Sequence, residues 1–316
     1  NYPCDQTEKE LLKLLELNGN QLEVRIAKRK AVEVLANLGF INGIPALGKC
    51  LKSNDPYLVE NAAWALQKLR CKDINIHSKM ISLLDDPKQN LRVIIQSISR
   101  LGILSALPKF REMLLKKDLS FGIRGALIAA ITRFSADSEY ISELKLFLQS
   151  MNQNERHCAV QDVIDSKNTS LIEFVTKSPI SPSFKIRMLE SFWKEGCFGF
   201  DYIHLFKMIE STIIDESFNI NVLHNYEELP DISILIDELF STDFSVCYLA
   251  MNTLRRFPDS DIIYHLNKKW EIAKKDYGAL YFFGSLYRGF LFKGHLEVDF
   301  ESKINYLLSN QWPDFM

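Results

Sequence analysis

The sequence predicts an all-α protein built as an α-solenoid, in which pairs of helices repeat along the chain. A short motif that ends in Arg, or in Glu at one position, recurs through the first two thirds of the 316 residues. In most copies an apolar residue precedes the Arg. Each interval also carries two stretches whose apolar residues recur with helical spacing. The motif positions are Arg25, Glu60, Arg92, Arg124, Arg156 and Arg187, with steps of 35, 32, 32, 32 and 31 residues.

The second repeat shows the plan most clearly. Ile44 and Leu51 fall on one face of a first helix that the pattern predicts over residues 41–51. Asp55 and Pro56 then favour the N-cap and the first turn of a second helix. Two helices per repeat of ~32 residues is a HEAT-like or armadillo-like pattern. In such repeats each unit buries its apolar face against its neighbours.

The repeat register divides the chain into three segments. Residues 1–209 carry the N-terminal HEAT-like repeats. Residues 210–232 break the register and contain Asn, Glu and Pro, so we expect an irregular junction there. Residues 233–316 are predicted to hold C-terminal helical repeats, including one at Leu239–Ala250 and an aromatic helix from Asp276 to Phe290.

The composition favours a soluble protein of the cytosol. The chain is 47% apolar and 25% charged with a net charge of -2, which excludes dominant disorder and offers no overall field for nucleic acid. No apolar run approaches the ~18 residues that a membrane span needs. The cysteines form no C-x-x-C and the histidines show no metal spacing, so we expect a reducing compartment and no metal. Familiar catalytic motifs are also absent.

One string in the second repeat departs from the usual pattern. Residues 59–66 read Val-Glu-Asn-Ala-Ala-Trp-Ala-Leu, with Glu60 where such repeats usually carry Arg. The surrounding segment, Asp55–Gln67, resembles the E/F-type phycobilin lyases. Three further stretches are similar to the phycoerythrin-directed members of that family, namely Leu91–Gly102, Phe244–Ala250 and Asp276–Phe283. The resemblance extends from about residue 22 to the end of the chain.

The resemblance implies a function. Members of the family attach an open-chain tetrapyrrole through a thioether to a cysteine of a phycobiliprotein subunit, and some also convert bound phycoerythrobilin to phycourobilin. For this chain the resemblance implies phycoerythrobilin as a substrate rather than a cofactor. It implies the alpha or beta subunit of phycoerythrin as the acceptor, in the cytosol of a cyanobacterium. The nucleophile would belong to the acceptor, so no catalytic cysteine is required here.

The chemistry of a bilin suggests which residues would bind it. Its propionates suit Arg or Lys, its pyrrole N–H groups suit a carboxylate, and its flat π-system suits aromatic walls. Glu60 and Trp64 share a face of the second helix, which we expect to line the concave side of the solenoid. Glu60 or Asp162 is the expected carboxylate that stabilises the protonated bilin. The expected binding residues are Asn61, Trp64, Arg92, Gln96, Arg124, Tyr248, Tyr277 and Tyr281.

The adjacent pair His157 and Cys158 is the candidate acid/base group for isomerisation, which must move a proton between two carbons. An isomerising member of the family carries this pair within Asn-His-Cys-Gln-Gly-Asn, and only the pair itself matches here. The alternative is that Cys158 is a small core residue and His157 a surface residue. Structural alternatives also stand for the other candidates, because repeat arginines commonly form ladders and tyrosines commonly pack in cores.

Three kinds of function remain open at this point. The first is a phycoerythrin-specific bilin lyase, with or without isomerase activity. The second is a non-enzymatic HEAT-repeat adaptor that docks a protein partner. The third is a bilin chaperone that depends on a second subunit for attachment. Because stretches of both halves resemble the family, the sequence favours a lyase that works as a single chain.

Overall fold

A computed structural model describes residues 4–19, 21–135, 139–194, 196, 202–214, 219–295 and 298–309. Every regular element within these residues is a helix, which confirms the predicted all-α class. In the same ranges, no helix is both long enough and apolar enough to cross a membrane.

The chain divides into two compact units, of which the first comprises Asn1–Ser142 with Asp165–Lys167. Paired helices of the predicted kind make up this unit. They are α1 (Asp5–Glu16), α2 (Leu22–Asn37), α3 (Ile44–Cys50), α4 (Pro56–Lys68), α5 (Ile74–Ser82), α6 (Leu91–Leu101), α7 (Leu107–Leu114) and α8 (Phe121–Ser135). Short 3₁₀ turns precede α3 and α7 and follow α5.

The second unit comprises Glu143–Ile164 with Asn168–Met316. Its helices include two, α9 and α10, that cross the unit boundary by a few residues. They are α9 (Ile141–Leu148), α10 (Gln153–Ser166), α11 (Ile172–Thr176), α12 (Pro182–Lys194), α13 (Tyr202–Ile214), α14 (Ile232–Glu238), α15 (Phe244–Leu254), α16 (Asp259–Ala273), α17 (Tyr277–Phe292) and α18 (Val298–Ser309). Residues 219–231, between α13 and α14, contain no α-helix.

The second helices of successive repeats form a continuous layer in the first unit. Helix α4 packs against α2 on one side and α6 on the other, and α6 packs in turn against α8. Helix α3, the first helix of the same repeat, also packs against α4. The contact side of α4 includes Val59, Ala62, Ala63 and Leu66, each fully buried. The small alanine side chains let the neighbouring helices approach closely, which is the stacking that a solenoid requires.

Local capping decides where the second helices begin. The Asp55 side chain accepts a hydrogen bond from the backbone N–H of Tyr57 at 3.2 Å, and Pro56 is the first residue of α4, as predicted. In the next repeat the Asp-Pro pair lies in the preceding turn. The cap of α6 is instead Asn90, whose side chain accepts from the N–H of Val93 at 3.4 Å.

Aromatic residues dominate the core of the second unit. Tyr248, Phe282, Phe283, Tyr287 and Phe300 are fully buried. The ring of Phe282 meets that of Tyr248 edge-on at 5.1 Å between centroids, a geometry that the ring quadrupoles favour. These residues come from α15, α17 and α18, so aromatic packing joins the C-terminal helices into one core.

Candidate functional site

Helix α4 presents a half-buried polar face beside its buried one. Glu60, Asn61 and Trp64 are each partly exposed. Glu60 and Trp64 are separated by one helical turn and therefore point the same way, as the sequence predicted. A carboxylate, an amide and an indole ring are thus accessible together on one surface of the first unit.

A cluster of ion pairs connects the start of this α4 face to α2. Arg29 donates from Nε and one Nη to the Asp55 carboxylate at 2.9 and 2.7 Å, and Arg25 donates to the same carboxylate at 3.3 Å. Burial alone would raise the pKa of Asp55, but the hydrogen bonds and charges of Arg29 and Arg25 outweigh it and lower that pKa to about 2. Asp55 is therefore ionised at neutral pH.

Two cation–π contacts flank the polar face. The guanidinium carbon of Arg29 lies 4.6 Å from the ring centroid of Tyr57. The Lys68 ammonium lies 5.1 Å from the centroid of the Trp64 ring. Both distances are within the range of an attractive cation–π contact. Sequence reasoning missed Arg29, Tyr57 and Lys68, although the spacing from Tyr57 to Trp64 to Lys68 is a helical one.

The arginines predicted on the next two second helices bond to backbone carbonyls. An Nη of Arg92, on α6, donates to the carbonyl oxygen of Gly122. An Nη of Arg124, on α8, donates to the carbonyl oxygen of Leu114 at 3.2 Å. Gln96 is half-buried on α6. The carbonyl bonds of the two arginines favour the structural alternative, because they hold helix ends together.

The remaining candidates lie in the second unit, and three of them are on α10. The imidazole of His157 stacks on the ring of Phe184 with 4.2 Å between centroids and 9° between planes. Its Nε2 is buried and has no hydrogen-bond partner among the residues that the structure describes. Burial and the neighbouring Arg156 charge lower the pKa of His157 below its ordinary value. Cys158 is half-buried and Asp162 is fully buried.

Arg156 belongs to the structural framework of this unit. Its side chain is fully buried, and one Nη donates to the carbonyl oxygen of Ser150 at 2.7 Å. The other Nη pairs with the carboxylate of Asp243, which also caps α15 by accepting from the N–H of Ser245 at 2.8 Å. This arginine therefore fixes the start of α10 to the start of α15.

The three predicted tyrosines differ in their access to solvent. Tyr248 is fully buried in the aromatic core, with the Lys185 ammonium 5.5 Å from its ring centroid. Tyr281 is half-buried and meets Phe282 edge-on at 5.1 Å. Tyr277 is 53% exposed at the start of α17. Burial favours the packing alternative for Tyr248, whereas Tyr277 remains accessible to a ligand.

The residues that the structure describes form no metal site. No group of three or more His, Cys, Asp or Glu residues there is arranged to hold a metal. The second unit has a cavity of about 240 Å³ between the segment at Tyr226–Leu229 and α15, with Arg256 in its lining. A cavity of this size is smaller than most ligand pockets, and none of the predicted residues lines it.

Relatives of this chain cover nearly its whole length. It is 36% identical to "Bilin biosynthesis protein CpeY" of Synechococcus sp. (strain WH8020) over 91% of this chain and 68% of the relative. The chain belongs to the E/F-type phycobilin lyase family. A second member, "Uncharacterized phycocyanin operon protein Y" of Pseudanabaena tenuis (strain PCC 7409), is 32% identical over 88% of this chain and 67% of its own length.

Two further comparisons bear on the fold of this phycobilin lyase family member. The solved complex of CpcE and CpcF of phycocyanin lyase from Nostoc sp. PCC7120 contains a chain that is 22% identical, with a TM-score of 0.56. That match covers 65% of this chain and 82% of the other. Residues 42–70 match the armadillo/beta-catenin-like repeat. That stretch contains α3 and α4, and both comparisons agree with the predicted helical solenoid.

Proposed function

We propose that this protein is a phycobilin lyase that attaches phycoerythrobilin through a thioether to a cysteine of a phycoerythrin alpha or beta subunit. The observation that carries the proposal is the 36% identity, over 91% of the chain, to a relative named as a bilin biosynthesis protein. The polar and aromatic face of α4 supports it, because Glu60 and Trp64 match the chemistry of a bilin. The bilin is the substrate, no resident cofactor takes part, and the reaction occurs in the cytosol.

The proposed reaction is an addition in which no group leaves. The acceptor's S–H adds across the ethylidene double bond of ring A. The sulfur bonds to the exocyclic carbon and a proton goes to the tetrapyrrole. Glu60 stabilises the protonated, electron-poor bilin by accepting hydrogen bonds from pyrrole N–H groups. The lyase supplies orientation and excludes water, which is catalysis by proximity.

The two carboxylates that the sequence offered for this role differ in exposure. Glu60 is partly exposed on the α4 face, beside the Trp64 ring. Asp162 is fully buried within the second unit. A pyrrole N–H can reach Glu60 directly, whereas it can reach Asp162 only after the surrounding helices open. We therefore assign the bilin-stabilising role to Glu60, with Asn61 and Trp64 as neighbouring contacts.

Isomerisation to phycourobilin is the finer part of the proposal, and His157 would carry it. Its Nε2 atom has no hydrogen-bond partner among the described residues, and because this atom is buried, the packing around it has to open before a bilin can reach it. The lowered pKa of His157 keeps the imidazole neutral at pH 7, and a neutral imidazole can accept a proton. Stacking on Phe184 fixes the plane of the ring. Cys158 adjoins this group on the same helix.

A second candidate function is a bilin-carrying subunit that attaches its cargo only together with another chain. The observation that favours it is the structural neighbour, which was solved as a complex of CpcE and CpcF. For this second function, too, the α4 face binds the bilin through Glu60, Asn61 and Trp64. A partner chain would then complete the surface on which the acceptor subunit docks.

Co-expression distinguishes these functions. The chain is produced with the phycoerythrobilin pathway and with one phycoerythrin subunit, and the subunit is then denatured and examined for covalent colour. A phycoerythrobilin spectrum supports the lyase, and a blue-shifted phycourobilin spectrum supports the lyase-isomerase. Colour that appears only when a second family chain is added supports the subunit version. A colourless acceptor in every combination would contradict both and favour an adaptor that does not carry a bilin.

A further inference from the structure

The α4 face carries an aromatic ring and a cation at each end. Tyr57 lies at the start of the helix and is 61% exposed, with Arg29 against its ring at 4.6 Å. Trp64 lies near the other end, with Lys68 against its ring at 5.1 Å. Glu60 lies between the two rings along the helix. The arrangement therefore offers positive charge, π-surface and a central carboxylate on one helix face.

Helix geometry places the two rings in line. Tyr57 and Trp64 are seven residues apart, and seven residues complete almost two whole turns, so both side chains leave the helix in nearly the same direction. The rise along the axis over that interval is about 10 Å. A flat, elongated ligand laid along α4 would contact both rings, and two carboxylates on flexible side arms, such as the propionates of the two central rings of a bilin, would extend in opposite directions along the helix towards the two cations.

The cations at both ends have positive charge that is not neutralised locally. Arg25 and Arg29 share the single Asp55 carboxylate, so that cluster keeps a net positive charge. At the other end, the Lys68 ammonium bonds the neutral side-chain oxygen of Asn37 at 2.5 Å. Lys68 forms no ion pair within the described part of the chain. Each end can therefore receive a carboxylate in a charge-assisted hydrogen bond.

We infer that Arg29 and Lys68 bind the two propionates of the bilin while Tyr57 and Trp64 contact its pyrrole planes. This inference rests on the proposed function and names how the substrate is held. The bilin is flat and carries two negative charges. The α4 face offers aromatic rings to its planes and cations to its carboxylates. Lys68 is the better position to test, because it is exposed and, among the described residues, contacts Asn37 and the Trp64 ring, whereas Arg29 also stabilises the start of α4.

The test compares phycoerythrobilin with its dimethyl ester, in which both propionate charges are removed. Absorption titrations give the Kd of each ligand for the wild-type chain, for Lys68→Gln and for a control, Lys13→Gln. Lys13 is an exposed lysine of α1 that pairs with Glu10, so its substitution removes the same charge away from α4. A third variant, Tyr57→Leu, probes the ring at the other end. Circular dichroism and thermal melting establish that every variant folds.

The inference predicts different results for the two ligands. Lys68→Gln weakens binding of the free acid about fivefold, the loss expected for one charged contact in a partly exposed site, and leaves ester binding unchanged. Tyr57→Leu weakens both ligands, and Lys13→Gln weakens neither. Equal binding of the free acid by Lys68→Gln and wild type would overturn this inference alone. A wild-type chain that binds no bilin would overturn the proposed function together with it.

Discussion

The Asp55 carboxylate, at the start of α4, pairs with two guanidinium groups of α2. This pairing predicts how the free energy of unfolding depends on pH. The pKa of Asp55 in the folded protein is about 2, below the ordinary 3.8. A lowered carboxyl pKa stabilises the fold above pH 4, where the group is ionised in both states. The stabilisation is lost as the pH falls from about 4 towards 2. The difference of nearly two pKa units corresponds to on the order of 2 kcal/mol.

We therefore expect Asp55→Asn to lower the free energy of unfolding by about 2 kcal/mol at pH 7, since Asn keeps the cap but loses the charge. Urea denaturation measured at several pH values checks this. The difference in the free energy of unfolding between the variant and the wild type should decrease as the pH falls from 4 to 2. A difference that stays constant over this pH interval would show that the charge of Asp55 does not stabilise the fold.

The environment of His157 leads to a second prediction about a single residue. Burial and the charge of Arg156 disfavour the imidazolium, so its pKa lies below the ordinary 6.5. A histidine of this kind stabilises the fold above pH 6.5, and the contribution is lost as the pH falls and the ring must accept a proton. In an NMR titration, the ring resonances of His157 should shift at a pH below 6.5. A midpoint above 6.5 would contradict a neutral imidazole and its proposed role as a base.

At the scale of the elements, the start of α15 depends on one long-range ion pair. Arg156 is fully buried and its carboxylate partner is Asp243. Removing the partner of a buried charge is costly, because the charge is left without compensation. Asp243→Ala should lower the free energy of unfolding by about 3 kcal/mol, as measured by denaturant melts.

A matched control for Asp243→Ala is available on the neighbouring helix. Asp237, on α14, is 57% exposed and pairs with Lys269 on the surface. Asp237→Ala should cost less than about 1 kcal/mol, because exposed ion pairs contribute little. Similar losses for the two variants would refute the view that Arg156 depends on Asp243.

The starts of helices were predictable because capping is local. Asp55 with Pro56 marks the beginning of α4, and Asp276 lies one residue before α17 and accepts from the N–H of Ala279 at 3.0 Å. The pairing of Arg156 with Asp243 was not predictable, since 87 residues separate them and helical periodicity says nothing about contacts between distant segments. The residues that share the candidate α4 face could be predicted only in part, for the same reason. Glu60 and Trp64 follow from spacing on one helix, whereas Arg29 reaches the face from α2.

At the scale of the whole molecule, the repeat period was sufficient to predict the all-α class. A repeat of two helices cannot bury its apolar side alone, so regular spacing implies stacked second helices such as α2, α4, α6 and α8. The period did not predict which of the candidate side chains are accessible. Burial of Tyr248 depends on packing with α17, and the carbonyl bonds of Arg92 and Arg124 depend on neighbouring helix ends.

We propose that the α4 face of this phycobilin lyase family member binds the bilin. Trp64→Leu tests it most directly, with Tyr264→Leu as the control, because Tyr264 is an exposed aromatic residue of α16. Each variant is co-expressed with phycoerythrobilin synthesis and a phycoerythrin subunit, and covalently bound bilin is measured on the denatured subunit. We expect Trp64→Leu to fold normally and to attach less than about a tenth of the wild-type amount, a loss corresponding to about 1.4 kcal/mol or more. The control should attach as much as the wild type. Wild-type attachment by a folded Trp64→Leu variant would contradict the account.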